Sequence, residues 1–405
     1  MKRLFVLGSN PALSTAEILS RFRLPETAVL SLAGDCLVTE TDRLPDMAET
    51  MAGLGGTVKV GSVLERPVSP ETLAEYLGKT GSNRPVFGIS QHGLPTNVTK
   101  NQSREALKDL IRLGMETKRL LKGAGIPSRF VRPQDGVSLS SVVVEKNRLL
   151  GQGAEFVLFG ESGLAVTETV QPFEEFSRID YGRPARNAKQ GMLPPKLARI
   201  MLNLANVGKK SHIWDPFCGS GTVLTEACRL GAEKAYGSDI SPQAVQDTKD
   251  NLEWSRSDCP NDRFQAVISE GDARRPCPAV PKGSLDAVIS EIFLGVPRQG
   301  NENRGELSRQ LREITVLTEQ AIGNWIPYLK PNAPIVLALP AHVAQDDMML
   351  TEPKPPKGWR WHHLLSPNLA GKTGVPTTDR GGVLYGRKGQ LVWREIVRLK
   401  KIGGD

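Results

Sequence analysis

Acidic residues follow three successive strand-like runs in the second half of the chain, and a glycine turn lies beside the first of them. Asp215 follows the strand-like run 211–214 and begins the segment Asp-Pro-Phe-Cys-Gly-Ser-Gly, which ends at Gly221. Asp239 and Asp272 follow the next two runs. Paired glycines allow a tight turn and close approach of a ligand to the backbone. A strand, such a turn and a helix N-terminus together predict a nucleotide-type site at the carboxyl edge of a parallel sheet.

The position of each acid indicates what it would bind. An acid at the end of the second strand, Asp239, suits two ribose hydroxyls, as in dinucleotide-binding folds. Asp272 suits the edge of an adenine, and Asp215 lies where the cationic end of an amino acid could be met. Glycines that only turn the chain are the competing interpretation, because two glycines alone are a weak motif. The three acids together favour the ligand-binding interpretation.

Length and composition bound the class of protein. The chain has 405 residues, 39% hydrophobic and 24% charged, which predicts two or three ordinary globular domains. The net charge of +8 and the pI of about 9.2 favour a polyanionic partner. Five cysteines without a CxxC pair predict reduced thiols and no metal. No apolar run approaches a membrane span, so we expect a cytoplasmic protein without a membrane or metal partner.

The first half of the chain predicts two small α+β regions. In residues 1–65, strands at 3–8 and 56–64 enclose a helix from a capping box at Ser14 and a second helix at 44–54. Two such βαβ-like passages predict a domain of ferredoxin type. Residues 66–170 form the second region. Helices are predicted there at 70–78 and 103–123, and strands at 85–90, 128–131, 139–145 and 155–159.

Basic residues concentrate in the second of these regions. Between 96 and 150 there are eleven Lys or Arg and five acids. A row of such side chains at helical spacing is usually a solvated helix face, but here the basic run continues beyond the helix. A phosphate-binding surface is therefore the alternative interpretation. The candidate nucleic-acid-binding residues are Lys100, Arg104, Lys108, Arg112, Lys118, Arg119, Arg129 and Arg132.

The rest of the chain alternates between strand and helix patterns. Residues 171–191 show no clean period and are predicted to be a linker. From 192 to 405 a helix precedes alternating β and α segments, and a hairpin at 382–399 ends the pattern, after a predicted surface loop at 345–380. This order predicts an α/β, doubly wound, Rossmann-like sheet with an antiparallel last strand.

The motifs and their order resemble the THUMP-domain S-adenosylmethionine-dependent RNA methyltransferases, in particular those that methylate the N2 amine of a guanine in tRNA. The resemblance rests on RIDYGRPARN, GMLPPKLARIMLNLA, DPFCGSG, GSDISPQAV and EGDARR, in that order. It implies a ferredoxin-like domain at 1–65, a THUMP-like, tRNA-binding domain at 66–170 and a methyltransferase domain at 192–405. It also implies the S-adenosylmethionine-binding residues Asp215, Phe217, Gly219, Gly221, Asp239, Ile240, Asp272 and Ala273.

The catalytic turn of that family is where the sequence departs from the pattern. The family has an acid, two prolines, an aromatic residue and a glycine. This chain has Glu-Ile-Phe-Leu-Gly at 291–295. The resemblance implies that Glu291 supplies the carboxylate, Ile292 a backbone carbonyl and Phe293 a ring, and these three are the candidate catalytic residues.

Three functions follow from these observations. The leading one is methyl transfer from S-adenosylmethionine to an exocyclic amine of tRNA, specifically the N2 amine of a guanine. The second is an adenine-N6 DNA methyltransferase, which uses a similar turn. The third is a tRNA-binding protein of weak catalytic activity that keeps the cofactor fold. The sequence indicates tRNA as the partner and points to no protein partner.

Overall fold

A computed structural model describes residues 1–42, 44–95, 99–134, 136–186, 192–345 and 347–403. The chain divides into two compact units. One comprises residues 1–15, 22–173 and 371–374, and the other comprises 16–21, 174–370 and 375–405. Residues 187–191 of the predicted linker, and Asp135 among the five acids of the basic region, lie outside the described residues.

The elements up to residue 170 form a single mixed sheet with its helices. The order of its eight described strands is β2-β3-β1-β4-β8-β7-β5-β6, so it contains strands from both predicted front regions. The elements are β1 (Lys2–Leu7), α1 (Pro11–Arg21), β2 (Val29–Ala33), β3 (Cys36–Glu40), α2 (Met47–Ala52), β4 (Thr57–Leu64), α3 (Pro70–Gly78), β5 (Val86–His92), α4 (Lys100–Gly123), β6 (Arg129–Val131), α5 (Ser141–Lys146), β7 (Ala154–Phe159) and β8 (Gly163–Val170).

Side-chain caps explain where the helices depart from the predicted pattern. The predicted strand at 139–145 is wrong: α5 forms there because the Ser140 hydroxyl accepts from Val143 N (3.3 Å). The predicted capping box at Ser14 is also wrong. Asn10 caps α1 by accepting from Leu13 N (3.0 Å), and the Ser14 hydroxyl donates to Gly56 O (2.6 Å). A capping box at Thr99 starts α4 earlier than predicted.

A fully buried ion pair lies inside the first sheet. The Lys59 ammonium donates to a Glu155 carboxylate oxygen and to Leu139 O (2.6 Å). The same carboxylate accepts from the hydroxyls of Ser90 (2.5 Å) and Thr167 (2.7 Å). Both charged side chains are almost wholly excluded from solvent. Such a pair is tolerated because its hydrogen-bonding capacity is used on both sides, and removal of one partner leaves a buried charge.

We therefore expect Lys59→Met to lower the free energy of unfolding by about 3–5 kcal/mol, measured by chemical denaturation. The double variant Lys59→Met/Glu155→Leu should recover much of this loss, because no charge is left unpaired. Lys2→Met, which removes the exposed pair between Lys2 and Glu65, is the matched control and should leave stability unchanged. Equal losses in Lys59→Met and Lys2→Met would contradict the assignment.

The C-terminal elements form the second sheet and the helices beside it. The elements are α6 (Phe173–Gly182), α7 (Pro195–Leu204), β9 (His212–Asp215), α8 (Thr222–Arg229), β10 (Lys234–Asp239), α9 (Pro242–Trp254), β11 (Gln265–Glu270), β12 (Ala287–Glu291), α10 (Arg304–Trp325), β13 (Ile335–Ala344), β14 (Asp347–Leu350), β15 (Trp359–His362), α11 (Pro367–Thr373), β16 (Val383–Tyr385) and β17 (Val392–Lys401).

The predicted doubly wound sheet with an antiparallel last strand is confirmed. The described strands run in the order β11-β10-β9-β12-β13-β17-β15, with β14 beside β13 and β16 beside β17. Strands β9 to β13 are parallel to their neighbours among these five, and β17 is antiparallel to β13. The chain reverses its winding direction between β9 and β12, which is where ligands bind in open α/β sheets.

Aromatic packing fixes the central strand β9 against one helical layer. The Trp214 ring meets Trp325 of α10 and the following Tyr328 edge to face, at centroid distances of 6.3 and 5.3 Å. Alternation places the next residue, Asp215, on the other face at the strand's end. The burial of one large indole therefore determines the direction in which the first acid points.

Two stretches predicted as irregular contain regular structure. The predicted linker contains α6, which buries Phe176 and Ile179. The predicted surface loop at 345–380 contains β14, β15 and α11. Both stretches are rich in polar residues and proline, so the apolar periodicity that reveals an element is weak in them.

The cysteines are not all reduced. Cys228 of α8 is disulfide-bonded to Cys259, with their Cα atoms 5.2 Å apart, so the predicted state is wrong for this pair. Cys36, Cys218 and Cys277 are free thiols.

No helix of the described residues has the length and apolar character needed to cross a membrane. The described residues also contain no group of three or more His, Cys, Asp or Glu side chains able to hold a metal ion.

Candidate functional site

Four carboxylates line the carboxyl edge of the second sheet. Asp215, Asp239 and Glu291 are the last residues of β9, β10 and β12, and Asp272 follows the end of β11 by two residues. Because these strands are parallel neighbours in the order β11-β10-β9-β12, their ends meet at the same edge. Residues separated by up to 76 positions in the sequence are thereby brought into one row.

The glycine turn between β9 and α8 is held by Asp239. Its two carboxylate oxygens accept from Gly219 N (3.0 Å) and Ser241 N (2.9 Å). Gly219 has φ of +51° and Gly221 of +80°, a region that favours glycine. A Cβ on Gly219 would meet open space, whereas one on Gly221 would collide with Thr248. The turn is thus packed from below and open above Gly219.

Two polar side chains of α9 fix the carbonyls of this turn. The Thr248 hydroxyl donates to Gly219 O (2.7 Å), and the Asn251 amide donates to Ser220 O (2.8 Å). With its carbonyls occupied in this way, the turn is held rigid at the N-terminus of α8. A helix N-terminus carries partial positive charge and favours anionic ligands.

Asp215 is the buried member of the row. Its carboxylate accepts from the Ser290 hydroxyl (2.5 Å) and from Phe217 N (3.2 Å). Burial, with smaller contributions from the charges of Asp239 and Glu291, raises the pKa of Asp215 to about 7. No cation contacts this carboxylate among the described residues. A cationic group of a ligand at this point would offset the cost of burying the ionised carboxylate of Asp215.

Arg183 is a buried cation beside the glycine turn that the sequence interpretation did not identify. Its guanidinium donates to the Thr222 hydroxyl (2.7 Å) at the first residue of α8, and one terminal nitrogen lies 3.8 Å from Asp180. Two of its nitrogens, Nε and Nη2, are buried and form no hydrogen bond with the described residues. A cation next to a helix N-terminus is suited to an anionic group. Arg183 was obscured because it lies in the predicted linker.

The remaining candidate cofactor residues form the outer part of the site. The carboxylate of Asp272 is bound by Arg274 (2.7 Å), which lowers the pKa of Asp272 to about 2. The carbonyl of Ala273 is occupied by the indole of Trp325 (3.1 Å). Phe217 is partly buried against Trp325, and Ile240 is exposed. An exposed apolar side chain beside Asp239 is suited to the face of a flat ligand.

The candidate catalytic turn is anchored by an arginine from the last strand. Glu291 forms an ion pair with Nε of Arg394 on β17. Ile292 is buried, and its amide donates to Ala338 O (3.0 Å). Phe293 is 51% exposed, so its ring is available to a ligand. Arg394 was not identified from the sequence, because its partner lies 103 residues away and neither forms a motif with the other.

The predicted nucleic-acid-binding residues all belong to the first unit. Six of them are exposed on α4, whose opposite face buries Leu110, Gly114, Thr117 and Leu121. Arg129 lies on β6, and Arg132 follows it. Exposed acids contact two of the cations: Glu105 contacts Lys108 (2.7 Å), and Asp109 contacts Arg112 (2.8 Å).

Residues 183–292 match the family model described as an RMKL-like methyltransferase domain. The match spans the glycine turn and all four carboxylates of the row. The second unit has the methyltransferase fold. TrmN from Thermus thermophilus has a similar structure, with a TM-score of 0.50 at 16% identity, covering 99% of this chain and 100% of that one. S-adenosylmethionine is the methyl donor of such a domain.

Two archaeal relatives resemble a short part of this chain. The tRNA (guanine(10)-N2)-dimethyltransferases of Methanothermobacter thermautotrophicus and Methanocaldococcus jannaschii are 44% and 48% identical over 63 residues. Each match covers 16% of this chain and 18% of the relative. A ribosomal protein L11 methyltransferase of Pseudomonas fluorescens is 32% identical over 85 residues, covering 21% and 26% of the two chains. The chain thus spans about a quarter or less of the length of these relatives.

The residues present fit S-adenosylmethionine. Its carboxylate requires a cation, and Arg183 has two buried nitrogens without a hydrogen bond to the described residues; its ammonium requires an anion, and Asp215 is a buried carboxyl that no described cation contacts. Its ribose requires an acceptor, and each oxygen of Asp239 has a lone pair left after accepting one backbone N–H. The open space above Gly219 allows close approach of the ligand.

The raised pKa of Asp215 makes stability pH-dependent. In the unfolded chain the Asp215 carboxyl releases its proton near pH 3.9, whereas in the folded protein without a bound methyl donor it keeps the proton up to about pH 7. The protonated Asp215 therefore stabilises the folded state fully below about pH 3.9. This stabilisation is lost as the pH rises from there to about 7. Asp215→Asn keeps an acceptor for Ser290 and cannot ionise. At pH 8 it should be more stable than the wild type by up to about 4 kcal/mol.

Chemical denaturation at pH 4.5 and pH 8 measures this effect. The difference between the two proteins should be small at the acid pH and large at the alkaline pH. An equal difference at both would show that ionisation of Asp215 is not the cause.

Proposed function

We propose that this protein is an S-adenosylmethionine-dependent tRNA methyltransferase that methylates the exocyclic N2 amine of a guanine in the cytoplasm. The observation that carries the proposal is the row of four acids at the carboxyl edge of a methyltransferase sheet, with Glu291 as the last residue of β12. The similarity to two tRNA guanine-N2 enzymes over part of this fold supports the choice of substrate.

The donor site follows from the fit of the residues. When bound, S-adenosylmethionine supplies a methyl group on a sulfonium, which is electrophilic. Asp215 meets its ammonium, Arg183 its carboxylate and Asp239 its ribose hydroxyls. The residues Phe217, Ile240, Asp272 and Ala273 surround the adenine. The glycine turn is already rigid before the ligand arrives, so little ordering accompanies binding.

The acceptor side uses the catalytic turn. An exocyclic amine is a poor nucleophile because its lone pair is delocalised into the ring. Glu291 accepts an N–H hydrogen bond from the amine and stabilises the positive charge that develops on nitrogen in the transition state. The Ile292 carbonyl is a second acceptor, and the exposed Phe293 ring stacks on the base. The amine is thereby held in line with the reacting carbon.

The test is incubation of purified protein with tRNA and isotopically labelled donor, followed by mass spectrometry of the nucleosides. Labelled N2-methylguanosine or its dimethyl form is expected. Asp239→Ala should weaken donor binding by about ten- to a hundred-fold in calorimetry, because it removes charge-assisted hydrogen bonds. Label in adenine of duplex DNA would favour the DNA methyltransferase instead. Tight tRNA binding without label in any RNA would favour the binding protein.

We also propose that α4 supplies part of the tRNA-binding surface in a THUMP-like region at 66–170, beside a ferredoxin-like region at 1–65. Lys118 and Arg119 are exposed and form no ion pair with any described residue, so their charge is available to phosphates. Lys108 and Arg112 are partly neutralised by their acidic neighbours. We therefore expect removal of the Lys118 and Arg119 charges to weaken tRNA binding, and removal of the acidic charges beside Lys108 and Arg112 to strengthen it.

Lys118→Gln/Arg119→Gln should weaken tRNA binding and flatten its dependence on salt by roughly one to two units of log–log slope, because phosphate contacts release counterions. The matched variant Glu105→Gln/Asp109→Asn on the same helix should strengthen binding by freeing Lys108 and Arg112. Fluorescence anisotropy across a salt series measures both. Unchanged slopes in the two variants would place the tRNA surface elsewhere.

A further inference from the structure

We propose that Arg394 is a positioning residue, which binds one carboxylate oxygen of Glu291 and leaves the other to accept from the amine being methylated. The proposal rests on the proposed function and adds to it a residue outside the family motif. Both side chains are largely buried: 17% of Glu291 and 10% of Arg394 remain accessible. An ion pair shielded from water in this way orients its partners more strongly than one on the surface.

The contact between the two side chains leaves one acceptor unused. Arg394 donates from Nε to Oε1 of Glu291. Its Nη2 lies 3.5 Å from Met192 O, shortly before α7 in the same unit. Oε2 of Glu291 forms no hydrogen bond with the described residues. A carboxylate accepts up to about four hydrogen bonds, so Oε2 has free capacity in a fixed direction.

The strand that holds Arg394 explains why it can position another residue. In β17, Arg394 lies opposite Pro340 of β13 on one side and Tyr385 of β16 on the other. β13 is itself hydrogen-bonded to β12, which ends at Glu291. The guanidinium therefore projects from a strand paired on both sides, and it reaches over β13 to the catalytic turn. A site supported by paired strands is held more tightly than one supported by a loop.

The charges around Glu291 give the ion pair a second consequence. Burial raises the pKa of Glu291, and Arg394 opposes that rise. The charges of Glu291 and of Asp239 on β10 both act on Asp215 at the end of β9, so these acids are electrostatic neighbours. On β16, Tyr385 lies close enough to Arg394 and Asp180 for the charges of both to affect its pKa. Arg394 is thus the cation in direct contact with an acid that has acidic neighbours, and its loss would leave Glu291 protonated at a higher pH.

The test compares kcat on tRNA across a pH series for the wild type, Arg394→Gln, Arg394→Lys, Glu291→Gln and the double variant Glu291→Gln/Arg394→Gln. Arg394→Gln should lower kcat at neutral pH by about a hundred-fold and move the acidic limb of the profile to higher pH. Donor affinity measured by calorimetry should stay unchanged. Arg394→Lys should restore the position of the limb in part, because it returns the charge without the planar guanidinium.

The double variant distinguishes positioning from general damage. If Arg394 acts through Glu291, its removal costs nothing further once Glu291 is already Gln. Multiplicative losses in the double variant, or a lower kcat with an unshifted limb, would overturn the proposal. Arg304→Gln, which removes an exposed ion pair with Asp347 on the same unit, is the control for loss of an arginine and should leave the profile unchanged.

A measurement without turnover separates this inference from the proposed function. In protein labelled with ¹³C at the glutamate carboxyls, the Glu291 signal is identified by its absence in Glu291→Gln. Its titration midpoint should rise in Arg394→Gln. If the wild type methylates no RNA, the proposed function fails, but this shift still supports control of Glu291 by Arg394. An unmoved midpoint overturns the inference, whether or not the wild type is active.

Discussion

Four carboxylates at one edge of a parallel sheet repel one another, and the way that each is compensated determines the structure of the site. Asp239 is compensated by two backbone amides, Asp272 by Arg274 and Glu291 by Arg394. Among the described residues, Asp215 accepts from one hydroxyl and one amide. Burial raises the pKa of both Glu291 and Asp215; Arg394 opposes the rise at Glu291, whereas no described cation contacts Asp215.

An incompletely compensated site is complementary to a ligand that carries the missing charges. Within the part of the chain that the structure describes, the cation Arg183 has two nitrogens without a hydrogen bond, and no cation contacts the acid Asp215. A zwitterionic amino-acid end supplies both charges in one group. Such a ligand would pair the buried charges of Arg183 and Asp215, which are both unfavourable in the folded chain without a partner. A neutral ligand of the same shape would pair neither charge. The rigid turn held by Thr248 and Asn251 keeps these groups in place without the ligand.

The sequence predicted those parts of the site that lie close together along the chain. The turn from Asp215 to Gly221, and the acids Asp239 and Asp272 after β10 and β11, follow from local patterns of strand-like runs and glycines, and Glu291 follows from the family resemblance. Long-range partners left no such pattern. Arg394 meets Glu291 across 103 residues, and Arg183 meets Thr222 across 39. The helix at 141–146 was missed for a related reason, because its β-branched residues favour a strand until the Ser140 cap is taken into account.

The altered catalytic turn shows how one constraint can replace another. Two prolines fix φ at two successive positions and so rigidify a turn through its own backbone. Ile292 and Phe293 do not, and here the burial of Ile292, its bond to Ala338 and the Glu291–Arg394 pair hold the turn from outside. Glutamate also has one more rotatable bond than aspartate, so it needs a partner to select one rotamer. The ion pair between Glu291 and Arg394 thus restrains the side chain at the start of this turn, where two prolines would restrain the backbone that follows.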